Sequence, residues 1–453
     1  MLSRRLYIFT AVAASIVMFL SPACVYADAA KNTGISKQIK AAGEYVNWEG
    51  VSSVSQFLDE NGNYCFACDS SKSITIVKTK NGKPLKQRIT LKKQKPLFGG
   101  VACDSSGNYY LVGGKANKSS DHTKSTIFIS KYDRKGTHIK TIGDNGSSSL
   151  GDWYSQDFYT QTPFDAGNCD IAVNGDYLAV HYARHMYSGH QSNSAFVINM
   201  KTMKKVKLND IYSSHSFAQR ILPYGNGFIF ASEGDCYSRA FTVSVVADPA
   251  SGENTNSDVF HFWVKKNALK NWDMQALNNN FAHMGGLVKA GEHTVALVGT
   301  SVKSLSSKAA SEKEQLFIQI FDPAKDLSQP SAYVTSGKRS GYSGANGNEK
   351  VTDYGVKWLT GYSGKYTILH PQAASDEKGN IVILYELEKS GKYQGVYYMV
   401  LDSEGKIIKK KTRYSATARL NPCEMPVCSG GKVYWTGNKT KGSKMYVYSL
   451  KIS

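Results

Sequence analysis

Four of the ten histidines in this 453-residue chain fall within 35 residues, among arginine, tyrosine and acidic side chains. The set comprises His181, Arg184, His185, Tyr187, His190, Gln191, His215, Glu233, Asp235 and Arg239. Neutral imidazole nitrogens with a carboxylate suit zinc and other transition metals. A histidine beside a glutamate or tyrosine can instead remove a proton from a substrate. This segment is therefore where the sequence concentrates its capacity for chemistry.

The spacing of these residues leaves three interpretations open. The first is a metal site, but no HExxH helix or cysteine cluster accompanies the histidines, so we assign no metal ligands and no cofactor. The second is acid–base catalysis, with His185, His215, Glu233 and Asp235 as candidates. The two acids would share one face of a strand, whereas the carboxylates of a glycosidase act from opposite sides of the bond.

The third interpretation is a polar network that holds long loops together and also offers a binding surface. In such a network Arg184 or Arg239 would pair with Asp235, and buried histidines would hydrogen-bond backbone carbonyls. The candidates for ligand binding are His181, Arg184, His185, Tyr187, His190, Gln191, His215, Asp235 and Arg239.

Aromatic residues add a weaker indication of binding. They are concentrated at Trp153, Tyr154, Phe158 and Tyr159, and again at Tyr354, Trp358 and Tyr362. Both groups are expected in long connections on the same face as the histidine-rich loops. Tyrosine and tryptophan offer rigid contact area to protein and sugar partners, although packing between strands is an equally good use for many of them.

The elements that position these residues come from a repeat. A short apolar run, a turn centred on glycine and a second β-branched or aromatic run recur seven times, which indicates hairpins. They occupy residues 57–67, 101–114, 171–183, 221–231, 287–299, 373–386 and 427–437. A second hairpin follows each of the first six, at 74–91, 127–142, 195–208, 240–264, 316–334 and 396–412. The seventh is followed only by a strand at 444–452.

Two hairpins make one four-stranded antiparallel blade, and neighbouring blades bury each other's faces. The sequence therefore predicts an all-β fold, a seven-bladed β-propeller forming a single domain over residues 28–453. The seventh blade lacks one strand, and residues from about 38 to 48 are expected to supply it from the N-terminal side. Closing the ring in this way hides both open strand edges.

The repeat pattern resembles that of secreted bacterial propellers of the NHL or WD-like kind, although the chain has no S-x-D-x-G-x-x-W box. The run His181-x-x-Arg184-His185-Met186-Tyr187-x-x-His190-Gln191 is similar to one in uncharacterised surface propellers of Gram-positive bacteria. The resemblance covers nearly all of residues 28–453. It implies export and the propeller fold, and it implies no activity.

The first 27 residues predict a secretory signal peptide. Arg4 and Arg5 precede an apolar run from Leu6 to Leu20, and Val25-Tyr26-Ala27 forms a cleavage site. No later segment is apolar enough for a membrane span, so none is expected in the mature chain. Seven cysteines remain after cleavage, an odd number, so at least one is free or pairs between molecules. Cys65-x-x-Cys68 lies in a strand-like run, where such residues point to opposite faces.

Charge and compartment together define the expected partner. The net charge of +19 becomes +17 after cleavage, with 53 basic and 36 acidic residues, and favours an anionic partner. Export argues against nucleic acid. We expect a secreted, non-catalytic protein that binds an extracellular protein or glycan at the cell surface or on a host, for example immunoglobulin or mucin. Any retention at the cell surface would be non-covalent. The alternative is a glycan-cleaving lyase or hydrolase that uses the histidine-rich loops, by analogy with propeller-fold polysaccharide lyases.

Overall fold

In a computed structural model, antiparallel strands form seven blades around a central channel, and the described residues contain almost no helix. The structure describes residues 24–26, 50–165, 167–234, 239–268, 270, 282–327, 337–343, 347–441 and 445–452. The innermost strands of neighbouring blades contact one another in sequence order, and the innermost strand of blade 7 contacts that of blade 1. The predicted seven-bladed propeller is confirmed.

Four blades consist of two consecutive hairpins each. The four strands of a blade are given in order from the channel outwards. Blade 1 contains β2 (Val54–Leu58), β3 (Tyr64–Asp69), β4 (Ser73–Lys80) and β5 (Lys83–Lys92). Blade 2 contains β6 (Leu97–Cys103), β7 (Tyr109–Gly114), β8 (Ile127–Tyr132) and β9 (His138–Asp144). Blade 4 contains β15 (Ser216–Tyr224), β16 (Gly227–Gly234), β17 (Ala240–Val246) and β18 (Thr255–His261). Blade 6 contains β25 (Tyr366–Ser375), β26 (Ile381–Lys389), β27 (Lys392–Leu401) and β28 (Ile407–Ser415).

Blade 3 has a divided inner strand. Both β10 (Thr160–Pro163) and β11 (Cys169–Asn174) pair with the long β12 (Tyr177–Met186), which continues to β13 (Gln191–Asn199) and β14 (Lys204–Val206). Two single turns of 3₁₀ helix, Ser147–Ser149 and Gln156–Phe158, lie in the connection that leads from blade 2 into this blade.

Blade 5 departs from the predicted hairpin at 316–334. Its strands β19 (Ala282–Lys289), β20 (Val295–Ser301) and β21 (Gln315–Phe321) are as expected, with a 3₁₀ turn at Ser307–Ser311. The outer strand is β24 (Val356–Trp358), so the prediction of its position was wrong. A helical turn at Pro323–Asp326 and a separate hairpin, β22 (Lys338–Ser343) with β23 (Glu349–Tyr354), intervene.

Blade 7 joins both ends of the chain. Strands β29 (Val427–Ser429), β30 (Lys432–Gly437) and β31 (Met445–Lys451) are completed by β1 (Cys24–Tyr26), which pairs antiparallel with β31. The closing strand is N-terminal, as predicted, but the predicted stretch 38–48 lies outside the described residues. Cleavage after Ala27 would remove β1, so a mature chain needs another segment to cover this edge.

Alternation along the strands fills the spaces between blades. In β7, Tyr109 and Leu111 pack against blade 1, whereas Tyr110 and Val112 pack against blade 3. Seven apolar clusters of described residues occupy the seven interfaces between blades in this way. Full burial of one such side chain contributes about 1.5–3 kcal/mol, so the ring is held by its interfaces.

A repeated aspartate–glycine turn explains why the hairpins form where they do. In the turn after β6, Asp104 Oδ1 accepts the backbone N–H groups of Ser106 and Asn108, both at 2.9 Å. Gly107 adopts φ 79°, a left-handed conformation that glycine adopts without steric strain. The same pattern of hydrogen bonds recurs at Asp59, Asp133, Asp376 and Asp402.

Cys65 and Cys68 lie buried in β3 of blade 1. Burial raises the pKa of Cys65 and Cys68 to about 12. The two side chains point to opposite faces of β3, as predicted, since Cys65 packs against blade 2 and Cys68 against blade 7. Cysteines without a disulfide partner in the described structure include Cys65, Cys68, Cys103, Cys169 and Cys428.

Candidate functional site

Three segments predicted to lie on one face meet on the face opposite the aspartate–glycine turns of β2 and β6. The tip of the β12–β13 hairpin contacts the connection from blade 2, because Ser188 N–H donates to the Asp157 carbonyl at 2.8 Å. The same hairpin contacts the connection to blade 4, because His215 N–H donates to the Gln191 carbonyl at 2.9 Å. These connections and the hairpin tip form one surface, which we call the loop face of blades 2–4.

His181 lies inside the interface between blades 3 and 4 and is fully buried. Its Nε2 lies 2.9 Å from Asn193 Nδ2, and its Nδ1 lies 3.4 Å from the Arg220 carbonyl. The amide can only donate and the carbonyl can only accept, so the imidazole is the neutral Nδ1–H tautomer. Burial lowers the pKa of His181 to about 3, which keeps it neutral. Both ring nitrogens are therefore occupied within the protein.

Arg184 projects from the other face of β12 and is also fully buried. Its Nε donates to the Asn193 carbonyl at 2.9 Å and to Ser192 Oγ at 3.0 Å, and Nη1 donates to Thr160 Oγ1 at 3.2 Å. Gly146 leaves room for it, because a Cβ there would lie 2.5 Å from Nη1. Burial lowers the pKa of the Arg184 guanidinium. Arg184 thus ties β10 to the β12–β13 hairpin within blade 3.

Two further predicted site residues, Gln191 and Glu233, join neighbouring blades, and a third, Arg239, is buried. Gln191 donates from Nε2 to the carbonyl of Ser216 in blade 4. Glu233 is 1% exposed and accepts the N–H of Met284 in blade 5 at 2.7 Å. Arg239 is 2% exposed. The remaining candidate, Asp235, lies outside the described residues.

The other candidates are at the surface. His190 is exposed, and its ring stacks on His215 with centroids 6.0 Å apart. Tyr187 stacks on His122, which sequence reasoning did not include, at 3.9 Å. His185 is half-buried, on the same face of β12 as His181. No three His, Cys, Asp or Glu side chains of the described residues come together as metal ligands.

The connection from blade 2 carries an aromatic group that solvent reaches. Trp153 is 73% exposed and stacks on Tyr154 with centroids 3.7 Å apart. Tyr154 in turn contacts Phe158 at 4.9 Å and Tyr212 at 5.3 Å. This group is the one predicted at 153–159. By contrast, Trp358 lies in β24 and packs edge-on against the buried Phe317.

A cavity of about 470 Å³ opens beside this aromatic group, and we call it the loop-face cavity. Its lining consists of Ser147, Ser148, Leu150, Gly151, Asp152, Tyr154, Tyr159, Lys205, Val206 and Lys207. Sequence reasoning missed the lysines, although their alternation about Val206 in an outer strand predicts that they share one face. A volume of this size falls within the range of small-ligand sites.

A second cavity, of about 610 Å³, is the central channel, lined by the innermost strands of all seven blades. Its walls are mainly aliphatic, as at Val101, Ile171 and Val288. Two of its charged groups are engaged within the fold: Arg220 Nη2 donates to the Met284 carbonyl at 3.1 Å, and Asp104 holds its turn. The channel therefore joins the blades and offers an apolar wall.

Comparisons with known proteins add no assignment of function. No family model matches the chain, and no curated protein matches it. Solved structures similar to it include the N-terminal domain of Nup159, with 9% identity over 94% of this chain and 97% of that one and a TM-score of 0.39. A protein of unknown function from Dyadobacter fermentans shares 10% identity over 79% and 94%, with a TM-score of 0.38. The α-L-arabinanase of Cellvibrio cellulosa shares 11% over 68% and 92%, with a TM-score of 0.31.

These similarities are too low to bear on chemistry. Separately, within the described ranges no helix has the length and apolarity needed to cross a membrane.

Proposed function

We propose that this protein is an exported, non-catalytic recognition protein that binds an extracellular protein or glycan through the loop face of blades 2–4. The observation that carries the proposal is the exposed indole of Trp153, stacked on Tyr154 at the edge of the loop-face cavity. A large aromatic side chain left 73% exposed beside a cavity is typical of a binding surface.

Two residues of the polar cluster, His181 and Glu233, are held within the scaffold and do not reach a substrate. A general base needs a nitrogen lone pair that reaches the substrate. In His181 the lone pair of Nε2 accepts from Asn193, and the ring is fully buried. Glu233, the described carboxylate among the catalytic candidates, accepts a backbone N–H of the next blade. Both side chains therefore serve the scaffold, and the surface beyond them is left for a partner.

The test compares two exposed aromatic residues. Purified protein is screened against arrays of glycans and extracellular proteins, and the Kd of each ligand found is measured for Trp153→Ala and for the control Tyr342→Ala. Tyr342 is 52% exposed on the hairpin of blade 5. We expect Trp153→Ala to weaken binding roughly 30-fold, as for a tryptophan at the centre of an interface, and Tyr342→Ala to leave it unchanged. Equal affinities for both variants and the parent chain would contradict the proposal.

Export is the second part of the proposal, and the basic n-region and apolar run before Ala27 support it. We expect N-terminal sequencing of the protein released from producing cells to begin at Asp28, and the protein to elute from the cell surface in salt. A chain that retains Met1 inside the cell would contradict export without affecting the binding surface.

A further inference from the structure

The charges around the loop-face cavity are matched in pairs. Lys205 Nζ lies 3.0 Å from Asp144 Oδ2, and Lys207 Nζ lies 2.5 Å from Asp152 Oδ1. The lysine side chains are 46% and 60% exposed, and the Asp152 side chain is 89% exposed. The cavity therefore presents exposed donors and acceptors. The two pairs carry no net charge, and beside Tyr154 the Asp210 carboxylate is offset by the Arg184 guanidinium, in a chain whose formal charge is +19.

This balance discriminates between ligand classes. An anionic group that approached either lysine would compete with a carboxylate already bound there, and it would be repelled by the exposed Asp152. A hydroxyl group donates and accepts at once, so a neutral polyol can add a hydrogen bond to the ammonium and another to the carboxylate of the same pair.

The aromatic wall gives such a ligand a flat face. Trp153 stacks on Tyr154, which leaves the other face of the indole towards solvent. Gly151 leaves room for the indole, because a Cβ at this position would lie 2.8 Å from Trp153 Nε1. Burial raises the pKa of Tyr154, and the nearby Asp210 carboxylate raises it further, so the phenol remains neutral.

An unsatisfied hydroxyl also lies in the cavity wall. Ser148 is 9% exposed, and its Oγ has no hydrogen-bond partner in the described structure. A buried polar group in this state is destabilising until something pairs with it. A hydroxyl-bearing ligand, or the water that it orders, would supply that partner.

We infer that the loop-face cavity binds a neutral saccharide, with the sugar ring against Trp153 and its hydroxyl groups on the Lys207–Asp152 pair. The inference rests on the proposed recognition function and names its ligand class. Because the site is electroneutral, specific binding is insensitive to salt, whereas any binding of polyanions by the basic surface weakens steeply as salt rises.

The experiment measures Kd by calorimetry for the full chain with two probe sets. The neutral set contains cello-, malto-, xylo- and N-acetylglucosamine oligosaccharides, and the acidic set contains uronate and sulfated oligosaccharides. The Kd of each probe is measured at about 50 mM and at about 500 mM NaCl. At the higher concentration the screening length falls to a few ångströms. The variants are Trp153→Ala, Lys207→Met and Lys201→Met. Lys201 is the matched control, because its Nζ pairs with Asp176 at 2.7 Å away from the cavity lining.

We expect one neutral oligosaccharide to bind with less than about a twofold change between the two salts. Lys207→Met should weaken that binding about tenfold and Lys201→Met should not change it. Acidic ligands alone, lost at high salt but sensitive to Trp153→Ala, would overturn the neutral-saccharide assignment and leave recognition by the loop face intact. Binding that neither Trp153→Ala nor Lys207→Met alters would overturn both proposals.

Discussion

The buried neutral imidazole of His181 makes the fold sensitive to acid, and replacement by glutamine should remove that sensitivity. Burial lowers the pKa of His181 from 6.5 to about 3. Between these values the unfolded chain binds a proton that the folded chain excludes, so the free energy of unfolding falls as pH falls below 6.5. At pH 5, about 1.5 units below the ordinary pKa, the loss is about 2 kcal/mol.

Glutamine keeps a donor and an acceptor for the Arg220 carbonyl and the Asn193 amide but cannot be protonated. The assay is urea unfolding at pH 7 and pH 5 of the parent chain, His181→Gln and the control His190→Gln, which alters an exposed imidazole. The parent and the control should lose about 2 kcal/mol more than His181→Gln between the two pH values. An equal loss in all three would refute the assignment of His181 as a buried neutral connector between blades.

Three further predictions concern other buried polar contacts. Arg184→Ala should lower the free energy of unfolding by about 3 kcal/mol, because several buried hydrogen bonds are lost, and His190→Ala by less than about 0.5 kcal/mol, both measured by urea unfolding. Asp104→Ala should lower Tm more than Asp133→Ala. Each aspartate holds a turn of the same type, but only Asp104 is buried. His261 forms a hydrogen bond with Asp353. Burial alone would lower the pKa of His261, but the hydrogen bond to Asp353 and the charge of that carboxylate raise it above 6.5. The pair therefore stabilises the fold below pH 6.5 and stabilises it less as pH rises. Asp353→Asn should therefore destabilise more at pH 6 than at pH 8; no pH dependence of the difference would contradict this.

The hairpins could be predicted because their information is local. A turn such as 104–108 is encoded by one carboxylate and one glycine, and the strands beside it alternate with period two. The tertiary structure needs only to repeat that unit. The same reasoning placed the inner hairpin of all seven blades, although β25 begins at Tyr366, before the predicted run at 373, and β10 of blade 3 was not predicted.

The outer strand of blade 5 could not be predicted in this way. Residues 316–334 read as strand, turn and strand, but β21 pairs with Val356–Trp358 after an inserted hairpin. Which of several β-prone runs completes a sheet depends on contacts far apart in sequence. Here β23 lies against β18 of blade 4, so the insertion is held by a neighbouring blade and leaves no local signal.

The candidate site divides for a related reason. In a propeller both faces of a central strand are covered by neighbouring blades, so a polar residue there must find its partners inside the protein. His181 and Arg184 lie within the paired part of β12 and are fully buried, on opposite faces. Their types suggested chemistry, and only the length of the pairing with β13 shows that they serve the scaffold.

Binding residues must then lie beyond the last cross-strand pair. The β12–β13 register ends at His185 with Gln191, and the next residues, Tyr187 to His190, form the exposed tip. The connection that this tip contacts carries Trp153 and borders the loop-face cavity. Substitutions within the paired part of β12 and β13 should therefore change stability, and substitutions in the tip and in the connection that it contacts should change affinity. A variant at Trp153 that unfolds the protein, or one at Arg184 that weakens binding without loss of stability, would show that this division between scaffold and site is incorrect.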